Sequence, residues 1–137
     1  MTHEQLDISR YRLGCAKEDL DACRITLEHN KLKNSINRAY YSIFHAIRAV
    51  NALEGFDSKR HSGVIAYFNQ HFVKTGIFEI GCSKIIENAF RIRSNADYED
   101  FYIVSTDEAK EQLQNAEVFV NAVETYLKEV WEQMKNE

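Results

Sequence analysis

The chain has 137 residues, of which 45% are hydrophobic and 28% charged, and its formal net charge at pH 7 is −4. That length is usual for one domain, and the negative net charge excludes the uniformly basic surface of a non-specific nucleic-acid binder. The chain contains no proline and only 5 glycines, so few positions interrupt a helix. We therefore expect a single all-α domain over residues 1–137.

The longest apolar runs are much shorter than the roughly 20 residues that a membrane-spanning helix needs. The first residues, Thr2 to Gln5, are polar and show no targeting leader. Cys15, Cys23 and Cys82 are odd in number and form no Cys-x-x-Cys pair, which argues against a disulfide framework. We expect a cytoplasmic protein that does not enter a membrane.

Two helices are predicted in the first part of the chain. The first runs from Gln5 to Glu28 and begins with a capping box, because Thr2 and Gln5 have the required spacing. Its apolar contacts are expected from Leu6, Tyr11, Leu13, Leu20, Ile25 and Leu27. The turn at residues 29–30 is short, so the second helix, over residues 31–53, should be an antiparallel neighbour of the first.

The middle of the chain predicts two more helices. Residues 54–58 are typical of a loop, and a third helix follows from Lys59 to Val73, closed by Gly76. A fourth helix is predicted over residues 79–93. Its inward residues are expected to be Ile80, Ile85, Ile86, Ala89 and Phe90.

Residues 94–105 lack helical periodicity and are predicted to form an ordered loop. Tyr98, Phe101 and Tyr102 are expected to hold this loop against the helices. A short strand at residues 101–104 stays open as an alternative.

The last helix is predicted to begin after a second capping box, formed by Ser105 and Glu108, and to end near Lys135. Its apolar stripe comprises Ala109, Leu113, Ala116, Phe119, Val120, Val123, Leu127, Val130 and Met134. The expected fold is an all-α, up-and-down helical bundle of four long helices plus one shorter helix.

The second helix has two faces of different chemistry. One side is an apolar stripe of Leu32, Ile36, Ala39, Ile43, Ala46 and Val50. The other side carries Asn34, Arg38, Tyr41 and His45. Arginine presents a planar fork that suits phosphate, and histidine exchanges protons near neutral pH. This polar face is therefore a candidate site for binding and cleaving a phosphodiester, and the alternative is a contact between helices or subunits.

A second group of basic residues, Lys59, Arg60 and His61, stands at the start of the third helix, where free backbone N–H groups favour an anion. The alternative is that His61 only packs against or caps this helix end. We treat the group as a candidate binding site that supports the polar face.

Other aromatic and charged residues have a structural interpretation. Tyr40, Tyr41 and Phe44 could stack on bases, but contacts at an interface are favoured. Arg93 and Asp97 are four residues apart and are predicted to form an ion pair. No histidine or cysteine pair has the spacing of metal ligands and no cofactor-binding motif is present, so we expect neither a metal nor a cofactor.

Three separated segments together resemble the HEPN domain family. They are residues 31–54, residues 59–68 with 72–76, and residues 93–98. The similarity is greatest to the short, single-domain bacterial and archaeal branch, which has an Arg-Ala-Tyr-Tyr-x-x-Phe-His signature that this chain carries at residues 38–45.

The resemblance implies a helical bundle that forms a homodimer. Many HEPN proteins are encoded beside a minimal nucleotidyltransferase as a toxin and antitoxin pair, and the active toxins are metal-independent ribonucleases with an Arg-x4-6-His motif. Arg38 and His45 match that motif, with six residues between them. On this resemblance Arg38 holds the scissile phosphate, and His45 transfers a proton during attack by the ribose 2′-hydroxyl. Asn34, Tyr41 and Ser42 are expected to support this pair.

Two positions depart from the family pattern. Ala39 follows the motif arginine, where catalytic members usually carry a polar residue. Ile47 stands where toxins that are silenced by nucleotide transfer carry a tyrosine.

Three hypotheses follow for the function. The first is a HEPN-type protein that binds RNA or a nucleotide and acts as an endoribonuclease toxin through Arg38 and His45. The second is a non-catalytic module that docks a minimal nucleotidyltransferase partner or presents a nucleotide to it. The third is a dimer whose polar face only joins two subunits.

Overall fold

The computed structural model describes residues 1–135 and contains five α-helices within that range. They are α1 (His3–Glu28), α2 (Leu32–Asn51), α3 (His61–Phe68), α4 (Gly81–Tyr98) and α5 (Thr106–Lys135). A 3₁₀ turn, Ala52–Glu54, extends α2, and a π-helical turn, Asn69–Val73, extends α3. The predicted all-α fold of four long helices and a shorter one is confirmed, and the segment that was open as a strand, 101–104, has no strand structure.

Both predicted capping positions begin a helix. The Thr2 hydroxyl accepts a hydrogen bond from the Gln5 N–H at 3.0 Å, and the Gln5 side-chain oxygen accepts one from the Thr2 N–H at 2.8 Å. At the start of α5, Ser105 Oγ accepts from the Glu108 N–H at 3.0 Å. The Glu108 carboxylate accepts from the Tyr102 hydroxyl at 3.1 Å, which anchors the segment before α5. These bonds satisfy N–H groups that have no partner inside the helix.

Long-range hydrogen bonds show that α1 runs antiparallel to α2. Ser9 Oγ, near the start of α1, donates to the Ala49 carbonyl near the end of α2 at 2.8 Å. Cys23 Sγ, near the end of α1, lies 3.4 Å from Ser35 Oγ near the start of α2. Trp131 Nε1, near the end of α5, donates to Ser9 Oγ at 3.2 Å, and Arg24 Nε, near the end of α1, lies 3.6 Å from Glu117 Oε1, so α5 is also antiparallel to α1.

The central helix of the bundle is α2, which packs against α1, α3, α4 and α5. The predicted apolar stripe is confirmed, since Ile36, Ala39, Ile43, Ala46 and Val50 are all buried. The buried part of α5 follows the predicted stripe in the same way, through Ala109, Ala116, Phe119, Val120, Val123 and Leu127. Burial of these side chains is the main source of stability in such a bundle.

The prediction for residues 94–105 was wrong in its first part, because α4 continues to Tyr98. Ala96 is buried one turn after the buried Ile92, so the apolar face of the helix persists. Arg93 Nε lies 2.9 Å from Asp97 Oδ2 across the same turn. Tertiary burial and this ion pair maintain a helix that the local polar sequence did not indicate.

Several aromatic and apolar residues that were expected inside are exposed. Tyr98, the last residue of α4, is exposed, and Phe101, in the loop that follows, is 98% exposed. Of the three predicted anchors, Tyr102 contacts the start of α5 through Glu108, whereas the ring of Tyr98 lies 5.9 Å from Cζ of Arg93 on its own helix. Phe101 has a φ of 62°, which turns the chain and directs this side chain outward. The predictions of inward positions were also wrong for Tyr11, Ile25, Ile80 and Phe90, which are exposed.

No helix within the described residues is both long and apolar enough to cross a membrane. The three cysteines carry free thiols. Burial raises the pKa of the Cys23 thiol and of the Cys82 thiol.

Candidate active site

The predicted pair, Arg38 and His45, lies on the side of α2 that faces α1. The two residues are seven positions apart, close to two helical turns, so their side chains project from one face. Both are partly buried, with 37% of the Arg38 side chain and 21% of the His45 side chain exposed. The apolar stripe of α2 points into the core. Arg38 and His45 therefore lie where α2 meets α1.

A carboxylate on α1 joins the pair. Asp19 Oδ1 accepts from Arg38 Nη1 at 2.9 Å, and Asp19 Oδ2 lies 3.6 Å from His45 Nε2. Only 17% of the Asp19 side chain is exposed.

Asp19 was not among the site residues predicted from the sequence. A register for the α1–α2 hairpin would have found it, because the contacts of Ser9 with Ala49 and of Cys23 with Ser35 set residue 19 beside residue 39. Without that register, nothing in the sequence distinguishes Asp19 from the other acidic residues of α1.

The two nitrogens of His45 have different surroundings. Nδ1 is buried and has no hydrogen-bond partner among the described residues, whereas Nε2 faces Asp19. Burial lowers the pKa of His45, and Arg48, Arg12 and Arg38 lower it further, while Asp19 raises it. The neutral ring is therefore favoured, and we assign its proton to Nε2, because an N–H at Nδ1 would be buried without an acceptor.

Two guanidinium groups lie near the ring of Tyr41. Arg38 Cζ is 5.2 Å from the ring centre, and Arg93 Cζ, from α4, is 5.5 Å from it. Arg93 Nη2 also donates to Tyr41 Oη at 3.3 Å. The predicted ion pair of Arg93 with Asp97 is present, but the contact with Tyr41 was not predicted, since it depends on how α4 packs on α2. Cations over an aromatic face hold the ring in place.

His61 lies against the second helix. Its ring stacks on Phe44 with 4.1 Å between ring centres, and Tyr40 Oη lies 2.8 Å from its Nδ1. Burial lowers the pKa of His61, with Arg93 and Arg48 acting in the same direction, and burial raises the pKa of Tyr40 to about 12. Tyr40 therefore donates to His61 Nδ1. These contacts agree with the alternative that His61 packs against the bundle.

The remaining predicted residues divide between the surface and the core. Asn34, Lys59 and Arg60 are exposed. Ser42 is buried and donates to the Ala39 carbonyl at 2.7 Å, so its hydroxyl does not reach the polar face.

Asn37 is nearer to the site than the predicted Asn34. Its side-chain oxygen accepts from Arg38 Nη2 at 2.7 Å, and its Nδ2 donates to Asp97 Oδ2 at 3.4 Å. Asn37 therefore connects Arg38 to the end of α4. Spacing along one helix did not reveal this contact, because the two residues are adjacent in sequence.

Three arginines around this face each contact an aspartate. Besides the pairs of Arg38 with Asp19 and of Arg93 with Asp97, Arg48 Nη2 lies 2.7 Å from Asp57 Oδ2. The carboxylates compensate the positive charge of the guanidinium groups. The described residues hold no group of three or more metal-ligating side chains.

The all-α bundle agrees with the helical-bundle fold that the resemblance implies. The HEPN domain family model matches residues 9–126. The chain belongs to the HEPN domain family.

Known relatives have a similar length. A UPF0332 protein of Thermotoga maritima is 30% identical over 128 residues, which cover 93% of this chain and 97% of that protein. The protein named "Putative toxin MJ0605" of Methanocaldococcus jannaschii is 34% identical over 115 residues, which cover 84% of this chain and 85% of that protein. A UPF0332 protein of Pyrococcus horikoshii is 34% identical over 119 residues, which cover 87% of this chain and 80% of that protein.

Proposed function

We propose that this protein is a HEPN-type endoribonuclease, active as a homodimer and paired as a toxin with a minimal nucleotidyltransferase antitoxin. The observation that carries the proposal is that Arg38 and His45 converge on one point, which the Asp19 carboxylate now occupies. A cation and an imidazole that reach the same oxygen-bearing group suit phosphodiester chemistry. The name of the Methanocaldococcus jannaschii relative, "Putative toxin MJ0605", supports the toxin part of the proposal.

In the proposed reaction the ribose 2′-oxygen attacks phosphorus, and the bond from phosphorus to the 5′-oxygen breaks. The products are a 2′,3′-cyclic phosphate and a 5′-hydroxyl. Arg38 donates to the non-bridging oxygens, whose negative charge increases in the transition state. His45 Nε2 takes the proton of the 2′-hydroxyl and returns it to the 5′-oxygen. This step needs the neutral tautomer that carries its proton on Nδ1, so Nε2 must first give up the proton that it holds in the free chain.

The test is RNA cleavage by the purified protein with a metal chelator present. We expect cyclic phosphate ends from the wild-type protein and a loss of at least about 100-fold in His45→Ala, as for removal of a general acid–base. The matched control is His29→Ala, because His29 is exposed and lies in the turn after α1, not on α2. Equal cleavage by His45→Ala and wild type would contradict the proposal.

A second candidate is the non-catalytic module that docks a nucleotidyltransferase partner or presents a nucleotide to it. Two observations favour it: the arginines of the face are already paired with aspartates, and Ala39, next to the motif arginine, is fully buried. Copurification with a coexpressed nucleotidyltransferase tests it. Under this candidate, Arg38→Gln weakens copurification and the isolated wild-type protein leaves RNA intact.

A further inference from the structure

The Asp19 carboxylate contacts both members of the Arg38–His45 pair. One carboxylate directs each of its two oxygens at a different member of the pair, at 2.9 Å from Arg38 Nη1 and 3.6 Å from His45 Nε2. A phosphodiester has two non-bridging oxygens that share one negative charge. The carboxylate therefore presents the same arrangement of acceptors that a bound phosphodiester would present.

The position of this carboxylate on His45 argues against a positioning role. An aspartate that orients a catalytic histidine binds the ring nitrogen that points away from the substrate, and the other nitrogen remains free to react. In this protein Nδ1 is buried, so Nε2 is the nitrogen through which the ring can reach a substrate. Asp19 lies at that reactive nitrogen.

Two of the five N–H donors of Arg38 also have acceptors within the chain. Nη1 donates to Asp19, Nη2 donates to Asn37 Oδ1 at 2.7 Å, and the guanidinium lies over the Tyr41 ring. A two-pronged grip on a phosphate uses a pair of neighbouring N–H groups. An incoming phosphate would therefore meet a guanidinium whose two terminal nitrogens already have acceptors.

We infer that Asp19 occupies the phosphate position of the Arg38–His45 site in the free chain, and that an anionic ligand binds there by displacing it. The inference rests on the proposed function for the identity of the site, and it adds that the resting site is closed by its own carboxylate. Displacement of Asp19 frees Arg38 Nη1 and His45 Nε2 together. Phosphate binding by Arg38 and proton transfer by His45 therefore both require the Asp19 carboxylate to move away.

The test compares Asp19→Asn with wild type for binding of sulfate, a probe whose charge is constant across the working pH range. The readout is the NMR signal of the His45 ring, which reports the site without any cleavage. Removing the competing charge should tighten sulfate binding by about fivefold or more, the ratio that corresponds to about 1 kcal/mol for a partly exposed ion pair. A double variant, Asp19→Asn with Arg38→Gln, should lose this gain.

The matched control is Asp21→Asn. Asp21 lies on the same helix and also contacts an arginine, with its Oδ1 2.9 Å from Arg24 Nη1, but its side chain is 69% exposed. This variant changes the net charge by the same amount without touching the site. Its sulfate affinity should equal that of wild type, and a gain as large as that of Asp19→Asn would assign the effect to net charge and overturn the inference.

A second probe separates this inference from the proposed function. A 2′-O-methyl RNA oligonucleotide cannot undergo the proposed attack, so its binding can be measured without cleavage. Tighter binding of both probes by Asp19→Asn supports the inference and the RNA site together. Tighter sulfate binding with no oligonucleotide binding by either protein supports the displacement and contradicts the RNA function. Equal or weaker sulfate binding by Asp19→Asn overturns the inference, whatever the oligonucleotide does.

The fold of each variant is checked by circular dichroism before binding is measured. If Asp19→Asn does not fold, Asp19→Ser replaces it, because serine also removes the carboxylate and its hydroxyl is too short to span both partners. The same tightening of sulfate binding is expected for this variant. Unchanged sulfate binding in a folded Asp19→Ser protein overturns the inference.

Discussion

Arg93 on α4 donates from Nη2 to the hydroxyl of Tyr41 on α2 at 3.3 Å, and its guanidinium also lies 5.1 Å from the ring centre of Tyr40. The side chain of Arg93 is only 14% exposed, and it also contacts Asp97. One residue of α4 thus fixes two adjacent aromatic residues of α2. Through Arg93, Tyr41 is therefore held by α4 as well as by its own helix.

Replacing Arg93 with alanine should therefore lower the free energy of unfolding and remove the contact between α4 and Tyr41. We expect a loss of about 1–3 kcal/mol in the free energy of unfolding, because a partly buried hydrogen-bonding group loses its partners. The measurement is urea denaturation. Arg91→Ala is the control, since Arg91 is exposed on the same helix, and its midpoint should stay close to that of wild type. A midpoint for Arg93→Ala equal to that of Arg91→Ala would show that the Tyr41 contact contributes little.

Two of the partly buried histidines, His45 and His61, predict a pH dependence of stability. Burial lowers the pKa of His45 and of His61 below the ordinary value of 6.5. As the pH falls below 6.5, the unfolded chain binds protons before the folded chain does, so the free energy of unfolding decreases. The stabilising effect of the neutral rings is complete above that pH and is lost toward the lower pKa of the folded state.

Urea unfolding at a series of pH values on either side of this point tests the prediction. His61→Gln should reduce the slope of stability against pH, because it removes one of the two groups. His29→Gln, in the exposed turn after α1, should retain the slope of wild type. A wild-type stability that is constant over this range would contradict the assignment of neutral, buried rings.

The aromatic core offers a prediction about packing. Phe68 is fully buried, and its ring centre lies 5.2 Å from that of Phe78 and 5.8 Å from that of Phe119. Phe68→Ala should lower the free energy of unfolding by about 3–5 kcal/mol, because it removes buried area and leaves a cavity.

Phe101→Ala is the matched control for this core variant. The same chemical change is made at a side chain that is 98% exposed, so the unfolding midpoint should not decrease. A large loss of stability in Phe101→Ala would show that this residue is covered in solution. That result would identify a contact, such as one with a second copy of the chain, that the single chain does not contain.

Local sequence patterns were enough for most of the helices. The apolar spacing of α2 predicted both its buried stripe and the face that carries Arg38 and His45, because helical periodicity alone sets which side chains share a face. The capping residue Thr2 located the start of α1 for a similar reason, since its hydrogen bonds reach only three residues along the chain. The end of α4 was missed because the burial of Ala96 depends on neighbours distant in sequence.

The sequence by itself therefore determined the all-α class, the order of the helices and the shared face of Arg38 and His45. Only the tertiary structure decided that Asp19 lies between those two residues and that Arg93 holds Tyr41. The physical reason is the range of the interactions. Periodicity and capping act within a few residues of one helix, whereas these contacts depend on the register and packing of α1 and α4 against α2.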